Sequence, residues 1–144
     1  MANKIVPMQM CHTTDVARIE QSLIATPWSS KLIAQLISQP NAVAKVLLVD
    51  DQVVGYYSFY IIGDEGDVNN IAIDKSYQGL GLSKLLMQDL IDECASRNID
   101  SITLEVGANN TVAKSLYTKF GFREEGRRKN YYNNTEDAII MWRR

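Results

Sequence analysis

The sequence has few of the side chains on which metal, redox and acyl-enzyme chemistry depends. Among its 144 residues there is one histidine, His12, and there are two cysteines, Cys11 and Cys94. A single imidazole excludes every site that needs two, and cysteines this far apart form no CxxC or zinc-finger motif. The sequence therefore predicts no metal site, and the two cysteines are interpreted as buried thiols rather than a disulfide.

Long apolar runs and linker segments are also scarce. No stretch approaches the roughly 20 apolar residues of a membrane span, and residues 1–7 lack the apolar core of an export signal. The three prolines all lie in the first third of the chain, and no Pro-rich or Gly-rich segment divides it. We therefore expect a single domain over residues 1–144, located in the cytoplasm and without membrane contact.

Charge of one sign is limited as well, because 15 Lys and Arg face 17 Asp and Glu for a net charge of −2. A nucleic-acid-binding domain usually carries net positive charge, so we expect no direct nucleic-acid binding. The short basic run Arg127-Arg128-Lys129 is interpreted as a solvated strand face. What the chain does have is apolar residues, 46% of the total, which suffice for one core without disulfides.

The apolar periodicity predicts an α/β domain with the element order β-α-α-β-β-β-α-β-α-β-β. This order gives a mixed, mostly antiparallel central sheet flanked by helices, with one βαβ crossover in the middle. The predicted elements are a strand at 5–10, a helix from the capping residues 13–15 to 24, a helix capped by Ser29 or Ser30, strands at 43–49, 53–62 and 67–73, a helix at 80–97, a strand at 102–106, a helix at 113–120, and strands at 122–128 and 137–143 joined by a polar loop at 130–136.

The turn before the long helix carries two closely spaced glycines, Gly79 and Gly81. Glycine lets the backbone approach a ligand, and the N–H groups that begin a helix attract an anion such as pyrophosphate. The same glycines also serve the plain geometry of a strand-to-helix turn, so both interpretations stay open. A dinucleotide fingerprint does not fit, because Lys84 stands where its last glycine would be.

Two polar residues lie in apolar surroundings where acid–base chemistry is plausible. Glu105 interrupts the apolar strand 102–106, and partial desolvation there would suit its carboxylate to general-base work. The alternative is an edge-strand glutamate in a surface ion pair. Tyr117 on the following helix either closes the core or uses its phenol as a proton donor.

Other candidates have structural alternatives too. Asn109 or Asn110 suits the N-cap of the helix that contains Tyr117. Trp28 is most simply a core anchor. Tyr131 and Tyr132 form either a recognition loop or a solvated hairpin tip.

Four motifs, read in order, resemble the GCN5-related N-acetyltransferases (GNAT) over nearly the whole chain. They are Asn70-Ile71-Ala72-Ile73, Tyr77-Gln78-x-x-Gly81, Leu104-Glu105-Val106 and Asn110-x-x-Ala113-x-x-Leu116-Tyr117-x-x-Phe120-Gly121-Phe122. Their joint spacing is much more specific than any one of them. Three further segments resemble the RimI branch, the ribosomal-protein-alanine N-acetyltransferases: Pro27-Trp28-Ser29, Asn130-Tyr131-Tyr132 and Glu136-Asp137-Ala138-Ile139-Ile140-Met141.

The resemblance implies a single-domain GNAT-like fold and direct transfer of the acetyl group of acetyl-CoA to a protein N-terminus. The implied acceptor is the N-terminal alanine of a small-subunit ribosomal protein, and we expect a monomer or weak homodimer. The implied general base is Glu105 and the implied general acid is Tyr117. The residues implied to bind acetyl-CoA are Ile71, Ala72, Ile73, Gln78, Gly79, Leu80, Gly81, Leu82, Ser83, Lys84 and Asn110, and those implied to bind the acceptor are Trp28, Tyr131 and Tyr132.

These roles suit the chemistry of amine acetylation. An α-amino group has a pKa of about 7.7–8.0, against about 10.4 for lysine, so one weak base is sufficient. Strand N–H groups near Ile71 and Ala72 would stabilise the negative charge that develops on the reacting carbonyl oxygen. A tyrosine can return a proton to the departing thiolate, and no acyl-enzyme is needed because neither cysteine lies at a motif position.

Two positions depart from the pattern. Ser83 stands where the family loop has Gly or Ala, so its side chain must find room. Gly107 stands where the RimI branch commonly has arginine, which bears on the choice of acceptor. Two other functions therefore stay open: acetylation of a small free amine (a polyamine, amino acid or antibiotic), and coenzyme A binding without catalysis.

Overall fold

One mixed sheet forms the centre of the protein, and a computed structural model describes residues 2–24, 27–132 and 136–144, with the backbone alone at Tyr132. The strands are β1 (Asn3–Pro7), β2 (Ala42–Val49), β3 (Gln52–Ile62), β4 (Glu65–Ile73), β5 (Ser101–Gly107), β6 (Arg123–Tyr132) and β7 (Glu136–Arg143). Their order across the sheet is β1-β2-β3-β4-β5-β7-β6. Only the β4–β5 pair is parallel among the described strands, which confirms the predicted mixed, mostly antiparallel sheet.

Helices cover both faces of this sheet. Those in the described residues are α1 (Thr13–Leu23), α2 (Ser30–Ile37), α3 (Leu82–Ser96) and α4 (Thr111–Lys119). Side chains alternate along a strand, so Val46 and Leu48 of β2 pack towards α1 and α2 whereas Leu47 and Val49 pack towards α3. Among the described helices, none combines the length and apolar character of a membrane span.

The parallel pair β4–β5 is short. Residues 65–67 of β4 pair with 101–103 of β5, and beyond Asp67 the two strands separate. From that point β4 continues along β3 and β5 continues along β7. The sheet therefore opens into a gap between the last residues of β4 and those of β5.

A β-bulge in β4 lies where this gap begins. Asn70 pairs with Ser58, but Val68 already pairs with the next residue, Phe59, so Asn69 is an extra residue in β4. The Asn69 Nδ2 donates a hydrogen bond of 3.4 Å to the Ser58 Oγ. Because a bulge bends its strand and increases the local twist, it turns the end of β4 away from β5.

The long helix begins two residues later than its apolar pattern indicates. α3 starts at Leu82, not at residue 80, because Gly79 and Gly81 have φ of +81° and +79°, outside the right-handed helical region. Gly81 is the N-cap residue, and no side chain caps the helix there.

The prediction of a polar loop at 130–136 is wrong for residues 130–132 and 136, which belong to strands. β6 continues to Tyr132, which pairs with Glu136, and residues 133–135 lie outside the described part of the chain. Asn130 adopts φ +52° and its N–H donates a 2.9 Å hydrogen bond to the Asp137 Oδ1. An irregular strand therefore stands where a loop was expected.

Two smaller expectations are also corrected. The N-cap of α1 is His12, without a side-chain cap, and the Thr13 hydroxyl donates to the Met10 carbonyl at 2.9 Å. Both cysteines are free, but only Cys94 is buried, because Cys11 lies in the exposed turn before α1.

We expect Leu90→Ala to lower the free energy of unfolding by about 2–5 kcal/mol. Leu90 lies on α3 and is fully buried in the core, so the substitution leaves a cavity. Denaturant titration measures the change. Leu85→Ala is the matched control, since Leu85 lies on the exposed side of the same helix and should cost about 0.5 kcal/mol or less. Equal losses in the two variants would contradict this description of the core.

Candidate active site

The gap between β4 and β5 opens into a cavity of about 1030 Å³. Residues 68–73 of β4 and 104–107 of β5 form two of its walls, and the start of α3 and the side of α4 form a third. Leu23 and Ile24, at the end of α1, line it as well. The cavity therefore exists because the two central strands separate.

The β4 backbone presents hydrogen-bonding groups to this cavity. The Asp74 N–H donates to the Val54 carbonyl at 2.7 Å, which places Asp74 in a hydrogen-bonded pair with β3. Because such pairs alternate along an antiparallel ladder, the N–H of Ala72 also points to β3. The N–H groups of Ile71 and Ile73 point instead to the gap, where β5 has already turned away.

The turn between β4 and α3 can hold an anionic group. Gly79 and Gly81 adopt positive φ, and a Cβ at either would meet no described atom within 4 Å, so backbone conformation rather than crowding requires glycine there. With no side-chain cap at Gly81, the first N–H groups of α3 point out of the helix. Ser83 is half-buried in that first turn, so its side chain finds room.

Two amide side chains stabilise the loops around the cavity. The Gln78 Nε2 donates to the Ile73 carbonyl at 3.1 Å, which ties the glycine turn to the end of β4. The Asn110 Oδ1 accepts from the Ala113 N–H at 3.1 Å and caps α4. Both residues line the cavity, so the capping interpretation of Asn110 is confirmed and is compatible with a role towards a ligand.

Glu105 lines the cavity from β5 and is exposed. Its carboxylate Oε1 lies 3.2 Å from the Arg128 Nε, so the ion-pair interpretation is the one observed. The edge position that belonged to this alternative is wrong, because β5 lies between β4 and β7. The partial desolvation expected for a general base is not observed either, because Glu105 is exposed. Arg128 reaches Glu105 from β6 across β7, and its guanidinium also lies 5.5 Å from the centroid of the Tyr131 ring.

Tyr117 projects from α4 and is both a core residue and a cavity residue. It is buried in the cluster under α3 and α4, and its ring centroid lies 6.0 Å from that of Phe122. It also lines the cavity that Glu105 lines from β5. The two alternatives given for Tyr117 are therefore compatible.

Most of the predicted cofactor-binding residues meet at this cavity, but some predicted site residues do not. Leu80 and Gly81 lie in the turn before α3 and are not among the residues described as lining the cavity. Tyr131 is exposed on β6 and does not line the cavity as described either. Trp28 packs instead with the apolar cluster beneath α1 and α2, as a core anchor would. The side chain of Tyr132 lies outside the described part of the structure.

One carboxylate at the cavity was missed. The Glu136 Oε2 accepts a 2.8 Å hydrogen bond from the Asn109 N–H, and its carboxylate occupies the space that a Cβ on Gly107 would need. The departure at Gly107 is the only sequence signal for this contact, since it removes the arginine typical of the RimI branch. Which side chain fills the vacated space depends on the β5–β7 register.

The remaining reactive groups lie away from this chemistry. Burial, with a contribution from Glu93, raises the pKa of the Cys94 thiol to about 11. In the described ranges, no group of three or more His, Cys, Asp or Glu residues is arranged to hold a metal ion.

Comparison with known proteins relates this site to acetyl transfer. The family model for the acetyltransferase (GNAT) family matches residues 12–122. The ribosomal protein bS18-alanine N-acetyltransferase of Escherichia coli strain K12 is 38% identical over 136 residues, 90% of each chain. The crystal structure of the ribosomal-protein-S18-alanine N-acetyltransferase from Escherichia coli superposes with a TM-score of 0.92 at 34% identity, covering 99% of this chain and 93% of the other. Ard1 from Thermoplasma volcanium has a TM-score of 0.91 at 27% identity, covering 99% and 97%.

We expect Gly107→Ala to lower the free energy of unfolding by about 1 kcal/mol, because the new Cβ displaces the Glu136 carboxylate and breaks its hydrogen bond to the Asn109 N–H. Denaturant titration measures the loss. The same substitution in a Glu136→Ala background is the control, and it should cost much less because the space is empty there. An equal cost in both backgrounds would show that the contact is not the cause.

Proposed function

The chain belongs to the acetyltransferase (GNAT) family, and from that premise we propose that it acetylates the α-amino group of a protein N-terminus, the N-terminal alanine of a small-subunit ribosomal protein. GNAT enzymes take the acetyl group from acetyl-CoA, so the chain is an acetyl-CoA-dependent N-acetyltransferase. The observation that carries the proposal is that Glu105 and Tyr117 line the same gap as the open edge of β4. The named function of the Escherichia coli relative supports the choice of acceptor.

Acetyl-CoA supplies the activated acetyl group in this reaction. In our proposal the N–H groups of the glycine turn and of the first turn of α3, from Gln78 to Lys84, hold its pyrophosphate. The gap-facing Ile71 carbonyl and Ile73 N–H pair with its pantetheine arm, and Asn110 contacts it from the start of α4. The positive φ at Gly79 and Gly81 supports this assignment, because side chains there would strain the turn.

Three groups of the chain would serve the transfer itself. The Ile71 N–H stabilises the negative charge that develops on the acetyl carbonyl oxygen. Glu105 accepts the proton of the α-ammonium group, directly or through a water, while Arg128 orients its carboxylate. Tyr117 gives a proton to the thiolate as the carbon–sulfur bond breaks. The second proton of the attacking nitrogen leaves to solvent, from which Tyr117 is reprotonated. The base needs little strength, since an α-amino group has a pKa of only about 7.7–8.0.

Transfer is direct in this mechanism. Cys94 lies on the buried side of α3, and burial raises the pKa of its thiol to about 11. A nucleophilic cysteine instead needs to be a thiolate at neutral pH. Cys11 lies before α1, outside the described lining of the cavity. Neither thiol is suited to carry the acetyl group.

We expect the protein to acetylate short peptides that begin with alanine, when these are incubated with acetyl-CoA and analysed by mass spectrometry. Peptides of the same sequence with a blocked N-terminus and an internal lysine are the control and should stay unmodified. Modification of lysine side chains alone, or of polyamines alone, would overturn the proposed acceptor and leave the acetyltransferase activity intact.

We expect Glu105→Gln and Tyr117→Phe each to lower kcat by about 10²–10⁴-fold, the usual contribution of general acid–base catalysis. Steady-state kinetics with an alanine peptide measure the change, and thermal unfolding shows that each variant folds. Glu124→Gln is a matched control, since Glu124 is an exposed β6 carboxylate that pairs with Arg127 at 3.8 Å. Full activity in either active-site variant would remove the role assigned to that residue.

A further inference from the structure

A buried carboxylate lies behind β4, on the opposite side of the strand from α3. Glu20 of α1 is 2% exposed, and the Asn70 Nδ2 donates to both of its oxygens, at 3.2 and 3.3 Å. Lys, Arg, Asp and Glu are almost never this deeply buried without a specific partner. The carboxylate therefore has a defined role in the packing of α1 against the sheet.

The groups around Glu20 come from three different parts of the chain. Asn70 belongs to β4, the buried Tyr56 hydroxyl belongs to β3, and the backbone N–H of Trp28 belongs to the connection between α1 and α2. Burial raises the pKa of Glu20, and its interactions with Tyr56, Asn70 and Trp28 act in the opposite direction. Burial, together with Glu20, also raises the pKa of Tyr56.

This cluster adjoins the main cavity. Glu20, Trp28 and Tyr56 line a second, small cavity of about 10 Å³, and Asn70 lines both that cavity and the main one. Glu20 also lies one helical turn before Leu23 and Ile24, which line the main cavity from α1. The Glu20 carboxylate thus contacts the strand that forms one wall of the cleft, and it belongs to the helix whose end lines the same cleft.

The hydrogen bond to Asn70 affects the direction of a backbone N–H group at the proposed reaction site. Asn70 directly follows the bulge residue Asn69, and its peptide group carries the N–H of Ile71, which points to the gap. A rotation of Asn70 would rotate that peptide plane and turn the N–H away from a developing negative charge. Such a donor contributes only when it is aligned in advance.

We propose that Glu20 is a positioning residue that holds the Asn70–Ile71 peptide and the end of α1 in register across the cleft. The inference rests on the proposed function, because that function assigns β4 to the acetyl donor, and it adds that the end of α1, which lines the same cavity, lies on the acceptor side. Glu20 touches neither substrate. It acts through Asn70 on turnover and through the end of α1 on acceptor binding.

The test is steady-state kinetics of Glu20→Met, which keeps the length of the side chain and removes its acceptor oxygens. We expect kcat to fall about tenfold and KM for an alanine peptide to rise several-fold, with KM for acetyl-CoA within twofold of wild type. Glu20→Gln keeps one acceptor oxygen for Asn70 and should recover most of kcat. Asn70→Ala should reproduce the loss of kcat, and adding it to Glu20→Met should cost little more.

Ile19→Val is the matched control, since Ile19 is fully buried on the same helix and belongs to the apolar cluster there. It should lower thermal stability and leave the KM for the peptide unchanged. Amide hydrogen exchange gives a readout without turnover: in Glu20→Met the Ile71 and Trp28 amides should exchange faster than in Ile19→Val.

Each outcome supports or overturns the inference. Wild-type kinetics in Glu20→Met, or the same KM shift in Ile19→Val, would overturn it. If Glu20→Met fails to fold, Asn70→Ala decides, and unchanged kcat in that variant would overturn it as well. A wild-type protein inactive on every N-terminal peptide would instead refute the proposed function, and hydrogen exchange would then still decide whether Glu20 holds the two segments.

Discussion

The structure depends on one interruption of hydrogen bonding, at the point where β4 and β5 stop pairing. The extra residue Asn69 bends β4, and the two central strands diverge beyond Asp67. An unpaired strand edge inside a sheet is normally unfavourable, because its N–H and C=O groups lose their partners. Here those groups line the main cavity, where a ligand can pair with them as the missing strand would.

The surroundings of this gap are held mainly by side-chain hydrogen bonds. Gln78 ties the glycine turn to the end of β4, Asn110 caps α4, and Glu20 contacts Asn70 behind the strand. Such bonds fix direction as well as position, which apolar packing alone does not. The Glu105–Arg128 pair differs because it is exposed, and exposed ion pairs contribute little stability. In the proposed mechanism this pair orients the carboxylate.

Local patterns predicted most of the elements, because each depends on neighbours in sequence. The alternation at 102–106 and the helical spacing from Leu82 to Cys94 identify β5 and α3 with errors of one or two residues. The errors occur where contacts between distant residues compete with local preference. β6 continues through a region of loop-like composition because Tyr132 pairs with Glu136 and the Asn130 N–H donates to Asp137. Trp28, which the resemblance implies as an acceptor-binding residue, packs in the cluster beneath α1 and α2, as its simpler interpretation as a core anchor predicts.

The sequence by itself determined the class of protein, because motif spacing places a glycine turn, a strand glutamate and a helix tyrosine in one order along the chain. It also narrowed the chemistry to consider, since one histidine offers no two-imidazole site and two distant cysteines form no CxxC motif. Only the tertiary structure decided which groups face the gap. The β3–β4 register turns the Ile71 N–H towards it, and the β5–β7 register brings Glu136 over Gly107. The physical reason is that strand register and helix packing depend on the balance of many distant contacts, and a shift of one residue reverses the direction of every backbone and side-chain group.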